Sequence, residues 1–127
     1  MIDEHPMMAG SATVFVVSDI AASLAYYCDV LGFEVAFEYG QPLSYVCLCC
    51  DEVALHLLAA SSTKRLPGHG AICIFVRDVD QIHAEVAGRG ARLINRPEGR
   101  DYGMRDFDVV DADGNQLTFG MGADAAA

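Results

Sequence analysis

No lysine or arginine precedes Lys64, and no apolar stretch of the 127-residue chain approaches the ~20 residues of a membrane span. The first absence is part of a wider imbalance, eight basic residues against eighteen acidic ones and a net charge of −10. That balance excludes nucleic acid and anionic membrane as partners, because both need a cationic face. The opening residues, MIDEHPMMAG, carry acids where a signal peptide has lysines, so the chain reads as soluble and cytoplasmic. Cysteine is odd in number, five, and Cys47, Cys49 and Cys50 crowd into one apolar run. They read as small buried hydrophobes in a reducing compartment, not as a disulfide framework. What the chain has in quantity is hydrocarbon: 53% of residues are apolar, which excludes disorder and suits one domain of ordinary size. The wholly acidic first half serves solubility, a cationic ligand, or contact with the more balanced second half of a neighbouring chain.

The most informative stretch is Asp106 to Met121, DFDVVDADGNQLTFGM. Two apolar-alternating runs flank the turn Asp111-Ala112-Asp113-Gly114-Asn115, in which Gly and Asn are expected to supply left-handed backbone geometry, so the stretch predicts a β-hairpin. Alternation sends Phe107, Val109, Leu117 and Phe119 into a core and leaves Asp106, Asp108, Gln116, Thr118 and Gly120 on the other face. Acids, an amide and a hydroxyl there mark the wall of a wet binding site.

In chain order, Ala12 to Val17 predicts a strand, and Ser18-Asp19 caps a helix whose stripe is Ile20, Leu24, Tyr27 and Leu31, stopped by Gly32. Strands follow at 33–39, 43–50 and 53–59, separated by Gly40-Gln41-Pro42 and Asp51-Glu52. A polar connector from Ala60 to Gly70 holds the first basic residues and His69, which reads as a solvated loop residue or a lid. A strand at 71–76, a helix capped by Asp78 with Val79, Ile82 and Val86 on its stripe, a strand at 91–95, a loop at 96–104 and the hairpin complete the set. His83, inside that helix, reads as a helix-surface or packing residue.

The order is thus β-α-β-β-β twice, and setting Asp19 on Asp78 aligns the two copies. The expected architecture is α+β: one domain over 1–127, made of two tandem βαβββ modules at about 11–60 and 70–121, whose curved mixed sheets enclose a cleft. Each module of roughly 60 residues is marginal alone, so copies pack within the chain or between two chains. The uncovered sheet faces carry Ala12, Val14, Val16, Ala54, His56 and Leu58 in the first half and Ala71, Cys73, Phe75, Gln116, Thr118 and Gly120 in the second. His56 is the ionisable group among the central positions, and Thr118 is its counterpart. Arg105, Asp106 and Asp108 are read as an ionic lattice supporting the hairpin, with ligand contact as the other reading.

VSDIAASLAYYCDVLGFEV, VALHL, FVRDVDQIHAEVAGRG and YGMRDFDVVDADGNQLTF together resemble the glyoxalase / bleomycin resistance / extradiol dioxygenase superfamily, from about Ala12 to Met121. The resemblance implies metal-ligand positions at Ala12, His56, Ala71 and Thr118. Two alanines cannot ligate and a threonine hydroxyl is a poor ligand, so the single imidazole cannot hold a catalytic metal. The chain therefore resembles the metal-free bleomycin-resistance branch, which implies a homodimer that binds a small planar, cationic molecule in its clefts, without cofactor and without catalytic residues. Candidate ligand-binding residues are His56, Thr118, Tyr45, Cys47, Phe75, Tyr102 and Asp108. The alternative is a glyoxalase-type lyase or isomerase, using a metal held by His56 with Asp108 or Cys47, or acid-base chemistry at His56.

Overall fold

A computed structural model describes residues 5–123; the acidic opening read against a signal peptide falls partly on residues 1–4, outside that range. The first half builds one sheet from β1 (Thr13–Val17), β2 (Glu34–Tyr39), β3 (Tyr45–Cys50) and β4 (Val53–Ala59), in the order β1-β4-β3-β2. The second builds another from β5 (Ala71–Phe75), β6 (Arg92–Leu93), β7 (Glu98–Gly99), β8 (Met104–Val110) and β9 (Gln116–Gly122), ordered β5-β9-β8-β6 with β7 also on β8. In each sheet the first strand lies parallel to the last and the other pairings are antiparallel, giving two curved mixed sheets in an α+β fold. Parallel pairing requires a crossover. It is supplied by α1 (Ile20–Ala25) with the strands that follow in the first half, and by α2 (Val79–Gly88) in the second.

Both helices begin as the sequence dictates. The Asp19 carboxylate accepts from the Ala22 amide at 3.0 Å and the Asp78 carboxylate from the Gln81 amide at 3.1 Å, satisfying donors that the first turn leaves orphaned. After Ala25 the first helix widens into a π-turn over Tyr26–Val30, with the Leu31 amide reaching back to the Tyr26 carbonyl. Ile20, Tyr27 and Leu31 are nonetheless buried, as the stripe predicts.

Two-residue alternation divides each sheet. Phe15, Val17, Val46, Leu48, Leu55 and Leu57 point into a core shared with Phe107, Val109, Leu117 and Phe119 of the other sheet, so one hydrophobic cluster unites both halves. Removing one such side chain, Leu57→Ala for example, costs ~2–5 kcal/mol, because a packed core refills a cavity incompletely.

A polar clasp closes one end of this core. Asp111 accepts from the backbone amides of Asp113 and Asn115, from the Asn115 side-chain amide at 2.9 Å and from the Tyr27 hydroxyl at 2.9 Å. Asn115, fully buried, also donates to the Val16 carbonyl at 3.0 Å and accepts from the Gly70 amide at 2.8 Å. Its role is therefore to join the two sheets. The left-handed turn geometry expected of Gly and Asn together falls to Gly114, at φ +100°.

Three other expectations change. The strand expected over 91–95 shrinks to Arg92–Leu93, and β7 appears inside the expected loop at 96–104. Pro97 has no N–H to give the ladder, and Asn95 continues the pairing through its side chain, accepting from the Asp108 amide at 2.7 Å and donating to the Asp108 carboxylate at 2.8 Å. The cysteines are less enclosed than expected: Cys28, Cys47, Cys49 and Cys50 are half-buried and Cys73 is exposed. Strand parity separates Cys50, packed against the core, from Cys47 on the opposite face.

Candidate functional site

The faces turned away from the core hold the candidate residues, in two groups on two sheets. On the first sheet, cross-strand register sets Val14, His56, Cys47 and Phe37 in one row and Val16, Leu58, Tyr45 and Tyr39 in the next. The Tyr45 hydroxyl lies 2.7 Å from His56 Nδ1, and the rings meet edge to face with centroids 5.4 Å apart. With the phenol donating, neutral His56 carries its proton on Nε2 and presents a donor. Burial raises the Tyr45 pKa, Cys47 adds to the rise, and the positive charge of Arg65 opposes it. His56, Tyr45 and Cys47 are thus brought together.

On the second sheet the rows are Cys73, Thr118 and Asp108, then Phe75, Gly120 and Asp106. Asp108 sits at the centre of a donor set: Thr118 Oγ1 at 2.5 Å and Gln116 Nε2 at 3.2 Å bond one carboxylate oxygen, and Asn95 Nδ2 at 2.8 Å the other. A half-buried carboxylate so held keeps a fixed orientation and a negative field over this face. The ring of Phe75, 75% exposed, stands one row away. Tyr102, 68% exposed, projects from the loop after β7 and donates its hydroxyl to Asp106, which Arg100 also binds at 2.7 Å. That hydrogen bond, with burial and the Asp106 charge behind it, raises the Tyr102 pKa. Cys73 shares the field: burial first, then Asp106 and Asp108, push its thiol above the ordinary range.

The ionic lattice expected among Arg105, Asp106 and Asp108 does not form. Arg105 pairs with Asp80 of α2 at 2.8 Å, and Asp106 is buried beneath Arg100 and Tyr102. The register of β8 explains this, since Arg105 points to the opposite face from its two acidic neighbours. Asn95 and Arg100 were not singled out from the sequence. Asn95 was legible only as a strand residue, and Arg100 only as one cation in a polar loop. His83 packs its ring against Phe107 with centroids 5.1 Å apart, as a packing residue does, and His69 is exposed in the connector.

A divalent metal does not fit the four positions implied by family resemblance. Ala12 and Ala71 have no donor atom, Thr118 gives its hydroxyl to Asp108, and His56 Nδ1 is engaged by Tyr45. Among the described residues no group of three or more His, Cys, Asp and Glu side chains is placed to hold an ion.

Known proteins with this architecture are numerous. A bleomycin resistance protein of Geobacillus stearothermophilus is 26% identical over 129 residues, an alignment covering 88% of this chain and 96% of that protein. A member of the glyoxalase/bleomycin resistance protein/dioxygenase superfamily from Sphaerobacter thermophilus superposes with a TM-score of 0.78 at 26% identity, covering 91% of this chain and 98% of that one. The bleomycin-binding protein of Streptomyces verticillus, crystallised with copper(II)-bleomycin, shares the fold with a TM-score of 0.74 at 24% identity, over 93% and 99% of the two chains. The sequence model of the family matches residues 11–119. With that match spanning both sheets, the chain belongs to the Glyoxalase/Bleomycin resistance protein/Dioxygenase superfamily.

Proposed function

We propose that the protein binds and sequesters a small planar, cationic molecule of the antibiotic or metabolite type, without a metal and without transforming it. The observation that carries this reading is Asp108, a carboxylate fixed by Thr118, Gln116 and Asn95, with the exposed Phe75 in the next register row of the same sheet face and the exposed Tyr102 bonded to Asp106 in that row. A fixed anion beside aromatic faces suits a flat cation, which gains charge pairing and stacking together. Similarity to a bleomycin resistance protein at 26% identity supports the same reading. The cleft is formed between two copies in a homodimer, the donor-bearing Tyr45–His56 face of one copy meeting the acidic Asp108 face of the other, with Cys47 beside His56.

Bleomycin is the first probe, followed by other planar cationic antibiotics, each assayed by thermal shift and calorimetric titration. A saturable stabilisation by at least one of them, abolished by Asp108→Asn, is the expected result. No stabilisation across the set overturns the reading. Stoichiometric zinc, nickel, manganese or iron in protein purified without a tag would instead support a glyoxalase-type lyase or isomerase.

A further inference from the structure

The connector between the sheets does more than span them. It runs along the outer edge of β1, where the Gly68 amide donates to the Val16 carbonyl at 3.3 Å and Arg65 Nη2 donates to the Val14 carbonyl at 3.2 Å. Backbone groups that an edge strand leaves open are thereby satisfied. Between connector and strand lies a cavity of about 310 Å3, lined by Val16, Arg65, Leu66, His69 and Gly70.

Arg65 is the informative member. Its backbone amide is tied to Thr63 Oγ1 at 3.1 Å and one guanidinium nitrogen to the Val14 carbonyl, so the side chain is anchored. Yet it has no carboxylate partner among the described residues, in a chain whose net charge is −10. The remaining guanidinium N–H groups form a planar fork that matches a carboxylate or phosphate. His69 lines the same cavity. The path of the connector is fixed as well: Gly68 sits at φ +85°, and a Cβ there would lie 2.0 Å from the Asp113 carbonyl oxygen. An arginine and a backbone held in place in this way lose little entropy on binding.

We propose that this cavity is a subsite for an anionic group, a carboxylate or a phosphate monoester on a small molecule, held by Arg65 and His69. Its lining shares no residue with the cation site proposed at Asp108, so the two readings rest on different side chains. Either proposal can therefore fail without the other.

The test is an amide NMR titration of the intact protein at low ionic strength with two probes, benzoate and inorganic phosphate. Saturable shifts are expected at Arg65, Leu66, His69 and Gly70, and the probe that saturates first identifies the preferred anion. Arg65→Gln should raise the midpoint about ten-fold, the scale of a lost charge-assisted pair, and His69→Ala should raise it less. Lys64→Gln, which removes a neighbouring charge outside the cavity, should leave the midpoint within about two-fold. Non-saturating shifts, shifts centred elsewhere, or equal losses in the Lys64 and Arg65 variants would overturn the assignment. Arg65 is exposed, so the variant is expected to fold, and an unchanged thermal midpoint verifies this.

Discussion

At the scale of single residues, three side chains carry consequences of different kinds. His56 sits half-buried on an open face and its side chain's one hydrogen-bond partner among the described residues is the Tyr45 hydroxyl, so His56→Ala should leave the thermal midpoint nearly unchanged while altering ligand affinity. Unaltered affinity would remove His56 from the pocket. Tyr27 is the opposite case, fully buried with its hydroxyl on Asp111. Tyr27→Phe leaves that acid one donor short and should cost about 2 kcal/mol, a fall of roughly 8 °C on thermal melting. Burial, with Asp111 next, holds the Tyr27 pKa far above its ordinary 10.0. The stability linked to that proton is complete below the unfolded value and is lost as pH rises above it, so wild type should lose more stability than the phenylalanine variant on going from pH 9 to pH 11. Cys73 reports on the acidic face. Because burial and the charges of Asp106 and Asp108 disfavour its thiolate, Asp108→Asn should accelerate its alkylation by iodoacetamide at pH 7.5. An unchanged rate would mean that Asp108 exerts no field there.

At the scale of elements, Gly68 tests whether the connector is rigid. Gly68→Ala meets both a left-handed backbone and the Asp113 carbonyl, so it should destabilise by about 2–3 kcal/mol in chemical denaturation. A neutral result would mean that the connector yields. Local sequence patterns specify some of these elements and not others. Both helix caps, the Asp106–Met121 hairpin and the inward positions on β4 and β9 follow from local rules, since capping and two-residue alternation depend on near neighbours. The π-turn at Tyr26–Val30 was not legible. It brings the Tyr26 hydroxyl to the Val110 carbonyl and the Arg92 amide, and the Tyr27 hydroxyl to Asp111, partners far away in the chain. Asn115 misled for a related reason: its residue type fits a turn, but its side chain is used across the sheets. At the site, the parity of Thr118 and Asp108 was readable, whereas the support from Asn95 depends on a strand that Pro97 interrupts.

At the scale of the whole molecule, the question is what covers the two open faces. The core occupies the other side of each sheet, and the open sides leave Phe37 58%, Tyr39 65% and Phe75 75% exposed. Aromatic side chains gathered on sheet faces beside polar groups mark an interaction surface. In the proposed homodimer the covering surface is a second copy, the Tyr45–His56 face of one meeting the acidic Asp108 face of the other. A two-fold axis would cover both faces at once in that proposed arrangement, each copy lending its first sheet to the second sheet of its mate. Sedimentation of the wild type at micromolar concentration should therefore give a dimer. Phe75→Asp puts a charge on the open face of the second sheet without disturbing the core, and on the proposed arrangement should give a folded monomer with an unchanged circular dichroism spectrum. Such a monomer should also lose the thermal shift with planar cations, because half of each cleft has gone. A wild-type protein that sediments as a monomer throughout the micromolar range, or a Phe75→Asp variant that remains dimeric, would place the second wall of the binding site somewhere other than a partner copy.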